Sequence, residues 1–288
     1  MRAQILFLST LLCLQMACSS STTEQREDKT TGGNGTGSPP AENPYGDVNN
    51  CPTFANGTVG IKAGGLDRTL EVELPANPNG APVVFAWHWL GGNATQILDW
   101  MQMRSLADDG FIVIAPEASG TEIYEWDNYR VSDDNVDLQL LDKTLPCLFE
   151  QYAIDHTRVH TTGHSAGGLM TSFLTLQRAD VFASTAPFSG GVDSWAYSAP
   201  SQPISSLVTW GGPSDTYGVY SFHDASLNLV SSLADDGSYP ISCEHTLGHN
   251  WPPEAADMAS QFFSAHQLGQ PSDWMNGIPG TMPSFCSL

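Results

Sequence analysis

Residues 158–174 read RVHTTGHSAGGLMTSFL, and this stretch decides how the rest of the chain is interpreted. The β-branched segment 158–162 predicts a strand, and the segment that starts at Leu169 predicts a helix. Between them, GHSAGG at residues 163–168 matches G-x-S-x-G, which is typical of a nucleophile elbow in this strand–turn–helix setting. Ser165 is therefore the candidate nucleophile. Chance matches to the motif are common, however, and a serine can also simply cap a helix.

Patterns typical of strands and of helices alternate along residues 51–288. Strands are predicted at 69–74, 82–87, 110–115, 158–162, 183–187, 205–210 and 239–246, and helices at 94–107, 135–152, 166–178, 221–233 and 254–268. Several strands are almost continuously apolar, as parallel strands buried on both faces are. The alternation predicts an α/β fold, a mostly parallel sheet with helices on both faces and a site at the carboxyl ends of its strands.

Two loops at predicted strand ends supply partners for Ser165. Asp215 follows strand 205–210, and His249 follows the last predicted strand. His249 would act as general base and Asp215 would orient its ring. Weaker candidates for the acid are Asp193 and Asp224, and for the base His223 and His245. The order Ser165, Asp215, His249 is the one that α/β-hydrolases use.

A site for acyl transfer also needs donors for the oxyanion that forms on the carbonyl oxygen. The residue after the nucleophile supplies one backbone N–H, which here belongs to Ala166. The loop after strand 82–87 reads His88-Trp89-Leu90-Gly91-Gly92. We assign the second donor to the N–H of Leu90.

Four motifs together resemble the esterase family of polyhydroxybutyrate depolymerases and of feruloyl and acetyl xylan esterases, a carbohydrate esterase family 1-like group. They are His88-x-x-Gly91-Gly92, the elbow at 163–168, Gly211-x-x-x-Asp215 and Gly248-His249-x-Trp251-Pro252. The resemblance covers almost all of residues 51–288, and it implies an α/β-hydrolase fold, an ester substrate and no cofactor. The chain departs from the family at Trp89, where glycine is usual, and at Trp210, where histidine is usual.

These residues predict an exported serine carboxylic-ester hydrolase that works through an acyl-enzyme. Its substrate would be a polyester, or the hydroxycinnamoyl or acetyl esters of plant polysaccharide. A serine peptidase with the same triad is an alternative, because the same three groups serve both reactions. A non-catalytic binding module on a hydrolase scaffold is another.

Tryptophans lie beside the motifs and are candidates for substrate binding: Trp89, Trp126, Trp210 and Trp251. We expect two of the four to line the site and the others to lie in the core, since tryptophan is largely buried on average. Residues 189–203 are too few to build a large cap over the site. Little or no lid is therefore expected, which suits a polymeric ester.

The N-terminal sequence predicts export. Arg2 precedes an apolar run at 5–17 that has the length of a signal-peptide core, so residues 1–18 are a predicted signal peptide. Ala17-Cys18 resembles a bacterial lipoprotein processing site with Cys18 as the lipidated residue, although Gln15 stands where an aliphatic residue is usual. The protein would be an outer-membrane or cell-surface lipoprotein, or a secreted protein. Residues 19–50 are polar and predict a disordered linker, which leaves 51–288 as the catalytic domain.

Four cysteines remain in the predicted domain: Cys51, Cys147, Cys243 and Cys286. In an exported domain this even number implies two disulfides. Of the three possible pairings we favour Cys51 with Cys147 and Cys243 with Cys286. Neither C-x-x-C nor H-E-x-x-H occurs, so we expect no metal.

Charge narrows the range of partners. The sequence has 31 acidic and 10 basic residues, a formal net charge of −21. Nucleic acid is excluded as a partner because its phosphates require clustered Lys and Arg. We expect a monomer that meets a membrane only through a lipid on Cys18.

Overall fold

The computed structural model describes residues 43–46 and 49–288. The predicted signal peptide, the predicted lipidation site at Cys18 and most of the predicted linker lie outside the described residues. Within the described ranges, no helix is long and apolar enough to cross a membrane.

A nine-stranded sheet forms the centre of the domain. Its strands are β1 (Gly57–Ala63), β2 (Leu66–Glu73), β3 (Val83–Trp87), β4 (Ile112–Pro116), β5 (Val159–His164), β6 (Ser184–Phe188), β7 (Ser205–Trp210), β10 (Tyr239–Glu244) and β11 (Cys286–Ser287). They lie in the order β1-β2-β4-β3-β5-β6-β7-β10-β11. The strands from β4 to β10 in this order are parallel, whereas β1, β2 and β11 pair antiparallel at the edges. A separate hairpin joins β8 (Thr216–Tyr217) to β9 (Tyr220–Ser221).

Helices cover both faces of the sheet. They are α1 (Ala94–Trp100), α2 (Val136–Tyr152), α3 (Ala166–Gln177), α4 (Phe222–Asp235) and α5 (Ala255–Ser264). Buried side chains of α2, α3 and α4 belong to one apolar cluster, and those of α1 and α5 belong to another. The predicted α/β class with a mostly parallel sheet is thus confirmed.

Two differences from the predicted elements have local causes. The predicted helix 94–107 is split, because Gln102 adopts a left-handed conformation with φ 58° and a short 3-10 helix, Met103–Ala107, follows it. Strand β1 was not predicted. Its buried side chains alternate with exposed ones along GTVGIKA, and glycines occupy two of the seven positions, which weakens the apolar signal.

Both disulfides have the favoured pairing. Cys51 is bonded to Cys147 of α2, and Cys243 of β10 is bonded to Cys286 of β11. In the chain-entropy model, crosslinks that close loops of this length stabilise a fold by about 3–5 kcal/mol each. Tyr45 packs its ring edge-on to Phe149 at 6.5 Å, so residues 43–46 lie against α2, although the sequence assigned them to the linker.

The loops at the carboxyl edge of the sheet differ in length. Residues 189–204 connect β6 to β7 without a helix or strand, which agrees with the expected absence of a large lid. A longer loop, 117–135, follows β4. Its end is fixed because the Asp137 carboxylate accepts a hydrogen bond from the Asp127 N–H and forms a buried ion pair with Arg68 at 2.8 Å.

Candidate active site

The turn that carries Ser165 is built by close contact between backbones. Ser165 has φ 58° and ψ −118°, a strained conformation for a residue with a side chain. A Cβ atom on Gly167 would lie 1.8 Å from the Trp87 carbonyl oxygen, and one on Gly163 would lie 2.4 Å from the Gly167 oxygen. Both positions therefore require glycine, and the turn holds the Ser165 hydroxyl at the carboxyl end of β5.

The structure brings Ser165, His249 and Asp215 together. The His249 Nδ1 atom lies 2.7 Å from Asp215 Oδ1, and its Nε2 atom lies 2.9 Å from Ser165 Oγ. An ionised carboxylate can only accept, so Nδ1–H donates to Asp215 and Nε2 is left to accept the Ser165 proton. This is the geometry of a nucleophile, a base and an orienting acid.

The weaker candidates have other partners. The ring of His223 accepts a hydrogen bond from Trp210 Nε1 at 3.0 Å, and the ring of His245 accepts one from the Leu247 N–H at 3.2 Å. Asp224 lies in the first turn of α4 and is exposed. None of these three groups is hydrogen-bonded to Ser165 or His249 among the described residues.

Asp215 is fully buried yet surrounded by donors. Its Oδ2 atom accepts hydrogen bonds of 2.8 Å from the Gly211 N–H and from Ser189 Oγ. Burial by itself raises the pKa of Asp215, but the hydrogen bonds from His249, Gly211 and Ser189 outweigh it and hold the pKa below its ordinary value. The carboxylate therefore stays ionised at neutral pH.

His164, the residue before the nucleophile, is a buried neutral histidine. Burial first, and then the neighbouring His249, lower the pKa of His164 to about 3. Neither ring nitrogen has a hydrogen-bond partner among the described residues. The ring instead packs against His249, with centroids 5.1 Å apart, and against Trp251 at 5.0 Å.

The loop proposed to donate to the oxyanion leaves the Leu90 N–H available. The Gly91 N–H donates to Glu125 Oε1 at 2.8 Å, and the Gly92 N–H donates to the Trp89 carbonyl at 2.9 Å. Within the described part of the chain, the Leu90 N–H donates no hydrogen bond. Ala166 is the first residue of α3, where backbone N–H groups have no partner in the helix.

Three tryptophans stack against one another next to His164, and we call Trp89, Trp100 and Trp251 the indole stack. The ring of Trp89 lies between the other two, 5.7 Å from Trp100 and 5.1 Å from Trp251, with interplanar angles of 27° and 25°. Trp89 and Trp251 are partly exposed, and Trp100 is 59% exposed. Trp89 occupies the position where glycine is usual in the esterase family that the sequence resembles. The residue that departs from the family pattern is therefore the central ring of the stack.

The other two predicted substrate-binding tryptophans lie in the core. Trp126 is 1% exposed and Trp210 is 2% exposed. Trp126 Nε1 donates to the His88 carbonyl at 2.9 Å, so that indole stabilises the loop after β3. Burial leaves neither ring a face for a substrate, and the prediction for Trp126 and Trp210 is therefore corrected.

This geometry is similar to that of known hydrolases. The Prolyl oligopeptidase family matches residues 98–226. The native crystal structure of sOPH aligns with a TM-score of 0.68 over 83% of this chain and 96% of its own, at 20% identity. This chain has the α/β-hydrolase fold. A ferulic acid esterase shares the fold, with a TM-score of 0.54 over 73% of this chain and 96% of its own at 14% identity.

The curated relatives of this chain carry esterase names. Feruloyl esterase B of Thermothelomyces thermophilus is 33% identical over 193 residues, which cover 61% of this chain and 65% of the relative. Acetylxylan esterase A of Talaromyces purpureogenus is 27% identical over 235 residues, 72% of this chain and 60% of the relative. Probable feruloyl esterase C of Aspergillus flavus is 28% identical over 150 residues, 49% and 52%. The chain spans about half to two thirds of these relatives, and the resemblance to feruloyl and acetylxylan esterases is confirmed.

The sequence did not indicate three further residues at or near the candidate site. Trp100 lies inside a predicted helix and away from every motif, so the sequence carries no signal for its place in the stack. Phe222 stacks on the His249 ring with centroids 4.4 Å apart, and Ser189 contacts Asp215. Neither has a local sequence signal, since Phe222 begins α4 and Ser189 follows β6, in separate parts of the chain. Among the described residues, no group of three or more His, Cys, Asp or Glu is placed to hold a metal ion.

Proposed function

We propose that this chain is a serine carboxylic-ester hydrolase. The proposal rests on the unbroken series of hydrogen bonds from Ser165 Oγ through His249 to Asp215, 2.9 Å and 2.7 Å long. Three further features support it. Ser165 is strained at φ 58°, Asp215 is buried and its pKa is lowered, and the N–H groups of Ala166 and Leu90 donate no hydrogen bond within the described part of the chain.

In this proposal Ser165 Oγ attacks the ester carbonyl carbon while His249 Nε2 takes its proton. The negative charge that develops on the carbonyl oxygen is met by the N–H groups of Ala166 and Leu90. Each such donor contributes about 3 kcal/mol of transition-state stabilisation in comparable sites. The tetrahedral intermediate then collapses, the C–O bond breaks, and His249 returns the proton to the departing alcohol.

The second half of the reaction repeats these roles with water. His249 removes a proton from water, the resulting hydroxide attacks the acyl group on Ser165, and Ser165 leaves with the proton from His249. Asp215 keeps Nδ1 protonated throughout, so Nε2 is free to accept at each step. The carboxylic acid is released and the enzyme returns to its starting state.

The proposed substrates are esters carried by a polymer. Trp89 and Trp251 pack against His164, the residue before Ser165, and offer partly exposed indole surface there, which suits a flat or apolar acyl group. The connection between β6 and β7 carries no cap, so a long chain can approach. The names of the relatives favour hydroxycinnamoyl or acetyl esters of plant polysaccharide, and a polyester is the other form of polymer ester that we propose.

We also propose that the protein works outside the cytoplasm. Two disulfides suit an oxidising compartment, and the N-terminal sequence resembles a signal peptide with a lipid attachment site at Cys18. A net charge of −21 makes a nucleic-acid partner unsuitable. The domain would then be held at a membrane only by its lipid, or be released.

A serine peptidase is the second candidate, and two observations favour it. The Prolyl oligopeptidase family matches residues 98–226, and an acylaminoacyl peptidase of Pyrococcus horikoshii shares the fold with a TM-score of 0.55 at 17% identity. The triad alone does not distinguish an ester from an amide. We rank the peptidase second because the curated relatives carry esterase names.

Labelling with a fluorophosphonate probe tests the proposal. The parent protein should label, and Ser165→Ala should neither label nor hydrolyse esters, with a fall in kcat of roughly 10⁴-fold or more. Ser184→Ala is the matched control because its buried hydroxyl contacts His160 and not the triad. It should label like the parent.

A panel of substrates then distinguishes the esterase from the peptidase and from a binding module. Methyl ferulate, acetylated xylan, a polyhydroxybutyrate suspension and an aminoacyl p-nitroanilide should be compared with p-nitrophenyl acetate. Hydrolysis confined to the anilide would favour the peptidase. If the folded parent neither labels nor hydrolyses any ester, the esterase proposal is wrong. That result would favour a non-catalytic binding module on a hydrolase scaffold.

A further inference from the structure

Ser189 is a strained and buried serine directly after β6. Its φ is 44°, in the left-handed region that residues with a side chain rarely adopt. It is 1% exposed, and its N–H donates to the Thr209 carbonyl at 2.7 Å, which fixes the backbone in this conformation. The position thus carries a side chain where glycine would be free of strain.

The hydroxyl is the group that serine has here and glycine lacks. Ser189 Oγ donates to Asp215 Oδ2 at 2.8 Å. The next two residues, Gly190 and Gly191, are glycines, so the sequence does use glycine in this turn where a side chain would collide. A serine with a positive φ beside these glycines indicates that its hydroxyl has a specific role.

The Asp215 carboxylate needs to be held in one orientation. Its Oδ1 atom accepts from His249, and its Oδ2 atom accepts from Ser189 and from the Gly211 N–H. Two donors on Oδ2 prevent rotation of the carboxylate about its Cβ–Cγ bond, because rotation would break both bonds. The hydrogen bonds from Ser189 and Gly211 to Oδ2 therefore leave Oδ1 as the oxygen that faces His249.

We propose that Ser189 is a positioning residue that locks the Asp215 carboxylate with Oδ1 turned towards His249. It acts through Asp215 and touches no substrate. The inference rests on the proposed function, since it assigns Ser189 to the same triad. The donor set on Asp215 is then three atoms from three segments of the fold, joined at one buried carboxylate.

Two substitutions test this role. Ser189→Gly removes the hydroxyl and the strain together, so it suits the backbone, and Ser189→Ala removes the hydroxyl alone. Ser184→Ala, at the other end of β6, loses a buried hydroxyl that contacts His160. The readouts are the rate of fluorophosphonate labelling, kcat and KM for p-nitrophenyl acetate, the pH profile of kcat/KM, and the Tm.

Both Ser189 variants should label and turn over roughly 10-fold more slowly than the parent, with KM little changed. The acid limb of kcat/KM should move to higher pH, because a carboxylate that has lost a donor favours the protonated form of the coupled Asp215–His249 pair more strongly. The other titratable groups facing Asp215 are His249, His164 on β5 and His245 after β10, and all of them remain in every variant. Ser184→Ala should keep the parent kcat and acid limb.

The outcomes separate the two proposals. Parent-like labelling and an unmoved acid limb in Ser189→Gly would overturn the positioning role, and so would a Tm loss that fully accounts for the lower activity. A parent protein that is not labelled in a Ser165-dependent way would instead overturn the proposed function. Slower turnover of Ser189→Gly at an unchanged or higher Tm is the result that the positioning role requires.

Discussion

The turn at Ser165 and the indole stack lie side by side but are held by opposite means. The turn depends on backbone contacts so close that Gly163 and Gly167 leave no room for a Cβ atom. The indole stack depends on side chains from three separate segments, and its outer ring, Trp100, is 59% exposed. One region has no freedom to vary, whereas the other can change ring by ring.

This difference teaches where chemistry and selectivity reside in the site. A backbone fixed by close contact holds Ser165 Oγ within hydrogen-bonding distance of His249, and no side-chain motion can loosen it. The stack is held by ring contacts worth about 0.5–1.5 kcal/mol each. Changes at the turn should therefore act on folding or on all substrates, and changes in the stack should act on some substrates only.

The largest expected effect comes from Gly167→Ala. Its Cβ would lie 1.8 Å from the Trp87 carbonyl oxygen, and relieving that overlap requires β3 and α3 to separate. We expect loss of the cooperative thermal transition and of fluorophosphonate labelling. Calorimetry and labelling of the purified domain measure this.

Gly60→Ala is the matched control for that change. Gly60 lies in β1, and a Cβ atom there would have nothing within 4 Å. The control should fold and label like the parent. Parent-like stability of Gly167→Ala would show that the turn is less constrained than its contacts indicate, and the contrast with the stack would fail.

The second effect is on stability at acid pH and concerns His164, which lies between the two regions. Burial is the main cause that lowers its pKa to about 3, against about 6.5 in the unfolded chain. Below pH 6.5 the unfolded chain binds a proton that the folded protein excludes. The free energy of unfolding should therefore fall by roughly 1.4 kcal/mol per pH unit as pH drops from about 6.5 towards 3.

Thermal unfolding from pH 7.5 to 4.5 measures this effect. His164→Phe should flatten the dependence by that amount, whereas His156→Phe, at an exposed position, should leave the slope unchanged. Burial also lowers the pKa of His160, so part of the slope should persist in the first variant. An equal slope in His164→Phe and the parent would mean that His164 is not buried in its neutral form.

The smallest effect is expected from Trp100→Ala. Removing this outer ring frees one face of Trp89 without touching Ser165 or His249. KM for methyl ferulate should rise roughly 5-fold, with kcat and the KM for p-nitrophenyl acetate unchanged. Trp195→Ala, an 84% exposed tryptophan in the loop after β6, is the control and should alter neither KM. Equal effects on both esters would remove the stack from substrate selection.

Much of the fold could be predicted because its signals are local. Buried parallel strands such as β7 are short apolar runs, and the five helices begin close to the predicted residues. Strand β11 has two residues and pairs through Cys286 with Cys243, so its strand character depends on a neighbour distant in sequence. A pattern within two residues cannot indicate that.

The site was predictable only in part, for a related reason. Trp89 and Trp126 are both tryptophans beside motifs, yet one is partly exposed and the other is 1% exposed. Burial depends on which segments pack above each ring, and adjacency in sequence does not determine it. Trp100 and Ser189 reach the site through the same kind of long-range packing.

The sequence by itself determined the elbow, its strand–turn–helix setting and the order Ser165, Asp215, His249, because each is written in a short segment with a local signal. Only the tertiary structure decided which donors hold Asp215, which indoles face outward and how Glu125 engages the Gly91 N–H. Those contacts join loops that follow different strands. Their geometry depends on how the sheet brings the carboxyl ends of those strands together.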